Sequence, residues 1–266
     1  MNDALAVRVL HAAPGGRRPV VLLHGFLGSS DDWSGIGPEI GRRTDRTVLA
    51  LDLPGHGASV NLPTPAYTFD GATAAIRDAV YESGGAPVVM VGYSMGGRLA
   101  MAATCRAPDL VVALVVESAH PGLDDVQKRT VRLEQDRRTA DRLVAEWPEY
   151  LSSWYRQPVF EGVPSDVVAS WIDRRSDGNP DELARALVGF SPGRQDALTD
   201  RLTALDRDLL FVAGGRDRKY VEIGRSLAAR GERTTLCSVQ DAGHNVHDEC
   251  SEAYLRALEA FLEPIA

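Results

Sequence analysis

The stretch Gly92-Tyr93-Ser94-Met95-Gly96 decides the fold, because its flanks are as informative as the motif itself. An apolar run, 87–91, precedes it and a segment rich in Ala and Leu, 95–106, follows it, which predicts a strand, a sharp turn and a helix. In a G-x-S-x-G turn of this kind the serine lies at the start of the helix, where backbone N–H groups stabilise developing negative charge. The motif therefore predicts that Ser94 carries chemistry at one edge of an α/β sheet.

Short runs rich in Val and Leu recur along the chain and alternate with helix-like segments. Several are apolar throughout, as strands covered on both faces are, so the pattern predicts a mostly parallel, doubly wound sheet with its ligand site at the carboxyl ends of the strands. The predicted strands are 6–10, 20–24, 48–52, 88–92, 114–117, 209–213 and 235–239. The predicted helices between them are 70–83, 95–106, 221–230 and 251–262.

The alternation stops between His120 and Asp208, where the sequence predicts no strand. This part contains a charged helical stretch, a patch rich in Trp, Tyr and Pro, and two shorter helical segments, at 127–146, 147–160, 165–175 and 180–190. The simplest interpretation is a helical cap, 120–207, inserted into an α/β core made of residues 1–119 and 208–266. The alternative is a few extra surface helices that cover the sheet.

A second glycine turn follows the apolar run 20–23, with the sequence His24-Gly25-Phe26-Leu27-Gly28. In a fold with a G-x-S-x-G elbow, this turn supplies the second donor of the oxyanion hole. We therefore expect the backbone N–H groups of Phe26 and Met95 to bind a developing oxyanion. The His24 ring is expected to be a buried structural imidazole.

A general base and an orienting acid are found after the last two predicted strands. His244 lies in a small-residue loop after 235–239, and Asp217 lies in the loop after 209–213. The resulting chain order of serine, aspartate and histidine is that of α/β-hydrolases. Glu117 is an alternative acid because it ends another predicted strand, and His247 is expected to lie behind the catalytic residues or at the surface.

Composition and charge exclude several other classes of function. The 266 residues carry 29 basic and 37 acidic side chains, a net charge of −8, which argues against nucleic acid as the partner. No apolar run is long enough to span a bilayer, and no signal peptide is visible, so we expect a soluble, cytoplasmic protein. The three cysteines form no C-x-x-C pair, and the sequence contains neither H-E-x-x-H nor a nucleotide-binding G-x-G-x-x-G, so we expect no metal and no organic cofactor.

Beyond these general motifs, nearly the whole chain resembles the 2-succinyl-6-hydroxy-2,4-cyclohexadiene-1-carboxylate (SHCHC) synthases of menaquinone biosynthesis, a branch of the α/β-hydrolases. The more specific signals are Arg98 after the elbow, the turn His120-Pro121-Gly122-Leu123 and the stretch WYRQPVF at 154–160. The resemblance implies an elimination, in which 2-succinyl-5-enolpyruvyl-6-hydroxy-3-cyclohexene-1-carboxylate loses pyruvate. Ser94, polarised by His244 and Asp217, would be the base.

Such a substrate carries three carboxylates, and an acidic protein binds it only in a locally basic pocket, for which guanidinium groups are the efficient partners. The resemblance implies that the substrate is held by Arg98, Arg132, Arg175, Tyr93, Trp154 and Tyr155. Arg129 in place of Arg132, and Arg174 in place of Arg175, remain open at this point. So do the oligomeric state and the alternative function, hydrolysis of an ester or a C–C bond through an acyl group on Ser94.

Overall fold

The structure, a computed structural model, describes residues 4–266. Seven strands of this part form one sheet in the order β1-β3-β2-β4-β5-β6-β7, in which only β1 is antiparallel to its neighbour. Their bounds are β1 (Val7–His11), β2 (Val20–Leu23), β3 (Val48–Leu51), β4 (Val88–Tyr93), β5 (Val111–Glu117), β6 (Asp208–Gly214) and β7 (Thr234–Val239). The predicted mostly parallel, doubly wound sheet is therefore confirmed.

The interior strands are apolar at every position because both faces of the sheet are covered. In β2, Val21 and Leu23 belong to one cluster of buried side chains, whereas Val20 and Leu22 belong to a second cluster on the opposite face. A strand that alternated apolar and polar residues would place its polar side chains in one of these two cores. The edge strand β1 differs, since its Val9 is 60% exposed.

Helices cover the sheet and fill the connections between strands. The α-helices are α1 (Gly37–Thr44), α2 (Phe69–Glu82), α3 (Met95–Arg106), α4 (Val126–Ala145), α5 (Tyr150–Trp154), α6 (Ser165–Arg175), α7 (Pro180–Gly189), α8 (Thr199–Thr203), α9 (Arg218–Arg230), α10 (Val246–Glu249) and α11 (Ser251–Leu262). Short 3₁₀ helices occupy Ser30–Trp33, Thr64–Tyr67, Pro108–Leu110 and Pro158–Phe160. Within residues 4–266, none of the helices combines the length and the apolar character that a membrane crossing needs.

The segment between β5 and β6 contains helices only, α4 to α8 with one 3₁₀ turn. Local signals start two of them: the side chain of Asp125 accepts hydrogen bonds from the first backbone N–H groups of α4, and Asn179 does the same for α7. A small apolar cluster joins Leu143 and Leu183 of this segment to Leu27 in the loop after β2. The division into a core and a cap at 120–207 stays our proposal.

Two predicted boundaries differ from the structure by three residues, and the other differences are of one residue. Strand β5 begins at Val111, three residues before the predicted start, because its apolar residues follow directly on the 3₁₀ turn that ends at Leu110. Helix α9 begins at Arg218 instead of residue 221, since Asp217 already occupies the N-cap position. Neither difference moves a predicted site residue to another edge of the sheet.

Candidate active site

Ser94 occupies a strained turn between β4 and α3. Its φ of 49° and ψ of −109° lie in a region that side chains rarely adopt, and its N–H donates to the carbonyl of Glu117 at 2.9 Å. The flanking glycines are required for close packing: a Cβ on Gly92 would lie 2.5 Å from the carbonyl oxygen of Gly96, and a Cβ on Gly96 would lie 2.3 Å from that of Leu23. The sharp elbow that the G-x-S-x-G motif predicts is therefore present.

Loops from two further strands bring an imidazole and a carboxylate to this serine. His244 Nε2 lies 3.2 Å from Ser94 Oγ, and His244 Nδ1 lies 2.6 Å from Asp217 Oδ2. The side chains of His244 and Asp217 are only 7% and 8% exposed. Because a carboxylate only accepts hydrogen bonds, Nδ1 carries the proton and Nε2 is free to accept the proton of the serine hydroxyl. The arrangement can move a proton from Ser94 to His244.

A second carboxylate holds the loop that carries His244. Glu249 accepts a hydrogen bond from the N–H of Gly243 at 2.9 Å and another from the N–H of Asn245 at 3.1 Å. Arg216 pairs with the same carboxylate. The backbone is therefore anchored on both sides of His244, which limits the positions available to its ring.

Two backbone N–H groups lie at the positions predicted for an oxyanion hole. Met95 is the first residue of α3, so no carbonyl of the helix can accept its N–H. Phe26 lies in the turn after β2. Within residues 4–266, neither N–H donates to a protein acceptor. Both donors are thus free of protein acceptors in the described part of the chain, and their binding of an oxyanion stays a prediction.

Buried imidazoles shape the turn that contains Phe26. His24 Nε2 accepts the N–H of Leu53 at 3.0 Å, and His56 Nε2 accepts the N–H of Leu27 at 3.2 Å. Since each Nε2 accepts, each ring is neutral, and burial lowers the pKa of both His24 and His56. His24 is therefore a buried imidazole bonded to backbone, as the sequence analysis expected.

Arg98 lies one helical turn after Ser94, whose carbonyl accepts its N–H at 3.1 Å. Its guanidinium donates to the carbonyl of Phe190, lies 3.5 Å from Gln195 Oε1 and faces the ring of Phe69 at 5.9 Å. No carboxylate pairs with it in the described part of the chain. Burial, with a smaller contribution from Arg132, lowers the pKa of Arg98 to about 10. The guanidinium stays charged at neutral pH and has no counter-ion.

Arg98, Arg132 and Lys219 form a cationic cluster beside the site. The pKa of His120 is lowered to about 4, mainly by burial and further by the charges of these three residues. Burial and the charge of Arg132 also lower the pKa of Lys219. Asp136 accepts from Arg132 at 2.9 Å, and the charge of Asp217 also acts on Lys219, but neither Arg98 nor Lys219 forms an ion pair among residues 4–266. The cluster therefore has excess positive charge, although the chain as a whole carries −8.

Arg175 has different neighbours. One of its terminal nitrogens lies 2.9 Å from both carboxylate oxygens of Asp32, and the other donates to the carbonyl of Trp171 at 3.2 Å. Its guanidinium also faces the ring of Tyr155 at 5.8 Å. Since a protein carboxylate already pairs with Arg175, its role in binding substrate stays a prediction. Arg174 is exposed.

The three predicted aromatic residues have unequal positions. The Tyr93 ring lies 5.5 Å from the ring of His244, and the Trp154 ring packs on that of Phe26 at 5.1 Å, edge to face. Tyr155 is buried among other aromatic side chains, and burial raises its pKa to about 12. Tyr93 and Trp154 therefore contact residues of the candidate site, whereas Tyr155 packs inside the helical segment.

Comparisons with known proteins identify the family of the chain. A model of the alpha/beta hydrolase fold family matches residues 18–250. A Pectobacterium atrosepticum protein named 2-succinyl-6-hydroxy-2,4-cyclohexadiene-1-carboxylate synthase is 36% identical over 245 residues, 91% of this chain and 93% of that protein. A Serratia proteamaculans protein of the same name is 34% identical over 260 residues, 97% and 98% of the two chains. The chain belongs to the SHCHC synthase family.

Solved structures place this SHCHC synthase family member in the same fold. The structure of MenH from S. aureus superposes with a TM-score of 0.87 at 25% identity, covering 99% of this chain and 98% of that one. A thermophilic esterase from Thermogutta terrifontis superposes with a TM-score of 0.83 at 23% identity, covering 98% and 93%. The predicted α/β-hydrolase fold and family are therefore confirmed, and the chain is an enzyme of the SHCHC synthase family.

Three further residues of this SHCHC synthase family member lie beside the site, although no role was predicted for them from the sequence. The ring of Tyr220 lies 4.9 Å and that of Phe160 lies 6.2 Å from the ring of His244, and Lys219 completes the cationic cluster. A signal for Lys219 exists in the sequence. Lys219 lies in the first turn of α9, where a positive charge interacts unfavourably with the helix dipole. A lysine at such a position indicates a role other than stabilising the helix.

The alternative acid, Glu117, has another partner in this enzyme. Its Oε2 lies 2.8 Å from Nδ1 of His247, whereas the carboxylate bonded to His244 belongs to Asp217. His247 is 3% exposed, so it is buried and not at the surface. Of the two acids considered, only Asp217 orients the imidazole that faces Ser94.

Proposed function

We propose that this enzyme eliminates pyruvate from 2-succinyl-5-enolpyruvyl-6-hydroxy-3-cyclohexene-1-carboxylate to give SHCHC, a step of menaquinone biosynthesis. The observation that carries the proposal is a cationic cluster without sufficient counter-ions beside a hydrogen-bonded Ser94–His244–Asp217 chain. A trianionic substrate supplies the missing negative charge. The names of the two curated relatives support the same substrate class.

The reaction begins with a proton on the ring carbon that carries the succinyl group. Ser94 Oγ takes this proton as His244 Nε2 takes the serine proton, and Asp217 stabilises the imidazolium that results. The electron pair of the broken C–H bond moves toward the succinyl carbonyl, whose oxygen becomes negative. The N–H groups of Phe26 and Met95 donate to that oxygen.

Pyruvate leaves in the second half of the reaction. The electron pair returns from the enolate, forms a new ring double bond and shifts the existing one, and the C–O bond to the enolpyruvyl group breaks with its electrons. The ring is then a conjugated diene. The proton held by His244 balances the proton that the departing enolate gains when it becomes pyruvate. No covalent bond between Ser94 and the substrate is required.

The remaining site residues would bind and orient the substrate. Arg98 donates to a substrate carboxylate without first breaking an ion pair, because none holds it. Arg132 acts from the helical segment, and Arg175 would share its guanidinium between Asp32 and the substrate. Tyr93 and Trp154 would form the pocket wall, and Tyr155 would support that wall from inside the helical segment. We propose that the segment 120–207 acts as the cap over this pocket.

The test is incubation of the purified protein with the enolpyruvyl substrate. We expect one pyruvate per substrate, detected with lactate dehydrogenase and NADH, together with the absorbance of a conjugated diene. Ser94→Ala should lower both by orders of magnitude. Release of no pyruvate above background would refute the proposal. A burst with an activated ester, together with a covalent acyl group on Ser94, would then establish the alternative hydrolase, because the same triad performs acyl transfer.

A further inference from the structure

A second carboxylate–imidazole pair lies beneath the elbow. Glu117 Oε2 lies 2.8 Å from Nδ1 of His247, and Glu117 Oε1 accepts the backbone N–H of the same histidine at 3.1 Å. The two side chains are 0% and 3% exposed. The indole of Trp33 stacks on the His247 ring with centroids 4.2 Å apart. One carboxylate thus holds both the ring and the backbone of one residue, out of contact with water.

Stability alone does not account for a pair in this position. Burial disfavours the charged imidazole, yet the charge of Glu117 and its hydrogen bond outweigh burial and raise the pKa of His247. Polar and charged groups removed from water lose their hydration, and apolar side chains of similar volume are often at least as stable in such a place. A buried carboxylate–imidazole pair therefore indicates a requirement for geometry in addition to packing.

Glu117 connects the two catalytic loops. It is the last residue of β5, and its carbonyl accepts the N–H of Ser94 at 2.9 Å. Its side chain holds His247, which follows His244 by three residues in the same loop and helix. The ring of Tyr93 lies 5.0 Å from that of His247 and 5.5 Å from that of His244. A single residue is thus bonded to the serine turn at one end and to the histidine loop at the other.

We propose that Glu117 and His247 are positioning residues, which fix His244 at the correct distance from Ser94 through this continuous set of contacts. Neither residue transfers a proton in the reaction. The gap between His244 Nε2 and Ser94 Oγ is 3.2 Å, the upper end of hydrogen-bond range, so a small displacement of the loop breaks the contact. The inference rests on the proposed function only in that the reaction uses this proton transfer.

The variant Glu117→Gln tests the proposal. Glutamine keeps the volume and an acceptor for the His247 N–H but removes the charge. We measure the second-order rate at which a fluorophosphonate labels Ser94, together with kcat and KM for pyruvate release. Since a misplacement of about 1 Å can cost about 100-fold, we expect labelling and kcat to fall about 10- to 100-fold, with KM within about twofold of the wild type.

A matched control is Glu182→Gln. Glu182 is 5% exposed and its carboxylate accepts from Tyr67, Arg185 and the N–H of Asn61, so this variant also removes a buried, hydrogen-bonded charge, but one that bonds to neither the Ser94 turn nor the His244 loop. We expect its labelling rate to equal that of the wild type. The double variant Glu117→Gln/His247→Asn replaces the pair with two neutral amides, and we expect it to label as slowly as Glu117→Gln.

The outcomes separate this inference from the proposed function. Folded Glu117 variants that label at the wild-type rate would overturn it. The inference would also be overturned if Glu117→Gln and the double variant both failed to fold while Glu182→Gln folded, because the pair would then serve stability only. If the wild type labels at Ser94 but releases no pyruvate, and Glu117→Gln slows labelling, the positioning role stands and the proposed reaction falls.

Discussion

Replacement of Asp217 by asparagine is expected to lower kcat by about 10³- to 10⁴-fold without changing the fold. The His244 Nδ1 and Asp217 Oδ2 atoms are 2.6 Å apart, and both side chains are less than a tenth exposed. At an effective dielectric constant of about 20, this distance gives about 6 kcal/mol of attraction between the carboxylate and the imidazolium formed in the reaction. Since about 1.4 kcal/mol corresponds to a factor of ten, the upper limit is about 10⁴-fold.

The asparagine also changes which nitrogen of His244 carries the proton. Its NH₂ group can donate to Nδ1, which leaves the proton on Nε2, and an Nε2–H cannot accept the serine proton. The loss should therefore appear in kcat, while KM stays close to that of the wild type, because Asp217 bonds to His244 and is not among the residues proposed to bind the substrate carboxylates.

The assay is pyruvate release coupled to lactate dehydrogenase, with thermal unfolding as the check on folding. Glu117→Gln provides the comparison, since Glu117 was the alternative acid. We expect the Asp217 variant to lose at least ten times more activity than the Glu117 variant. A folded Asp217→Asn enzyme that keeps more than a tenth of the wild-type kcat would refute the assignment of Asp217 as the orienting acid.

Three further outcomes are expected. Arg98→Met should raise the KM for the substrate about 10- to 150-fold, which is the cost of losing a hydrogen bond between charged groups, and should leave the rate of fluorophosphonate labelling within about threefold of the wild type. The control is Arg77→Met, which changes an exposed arginine. An unchanged KM in Arg98→Met would remove Arg98 from the site. Gly25→Ala should lower kcat, because a Cβ there would lie 2.7 Å from the Tyr93 ring and displace the turn of the oxyanion hole; full activity would contradict this. The free energy of unfolding in urea should fall as the pH drops from about 6.5 toward about 4, because His120 stays neutral in the folded protein down to a pKa of about 4, whereas in the unfolded chain it takes up a proton below about 6.5. His120→Gln should flatten this decline. An unchanged dependence of stability on pH in that variant would contradict the prediction.

The sequence alone could predict those site residues that come soon after the end of a predicted strand. Ser94, Asp217 and His244 each lie within five residues after the end of a predicted strand, and the carboxyl ends of parallel strands meet at one edge of a sheet. The sequence therefore predicted that these side chains lie together, and the same reasoning applied to the N–H groups of Phe26 and Met95. The spacing of four residues likewise predicted that Arg98 lies one helical turn beyond Ser94.

The boundaries and the helical segment were less predictable. The sequence located helices α4, α6 and α7 from their composition and periodicity, but it could not tell which face of α4 lies toward the site. Arg132 and Arg129 differ by three residues and lie on neighbouring faces of the same helix, and only packing against other elements distinguishes them. In the structure, the charge of Arg132 acts on Arg98, Lys219 and His120.

The sequence by itself determined the fold family and predicted the reactive serine and its histidine, because these follow from local patterns read in chain order. Only the tertiary structure decided which acid serves which imidazole and which arginine is already paired. Glu117 meets His247 across 130 positions of the chain, and Arg175 meets Asp32 across 143. No local spacing encodes such contacts, since they arise where separate loops converge at one edge of the sheet and compete there for the same few partners.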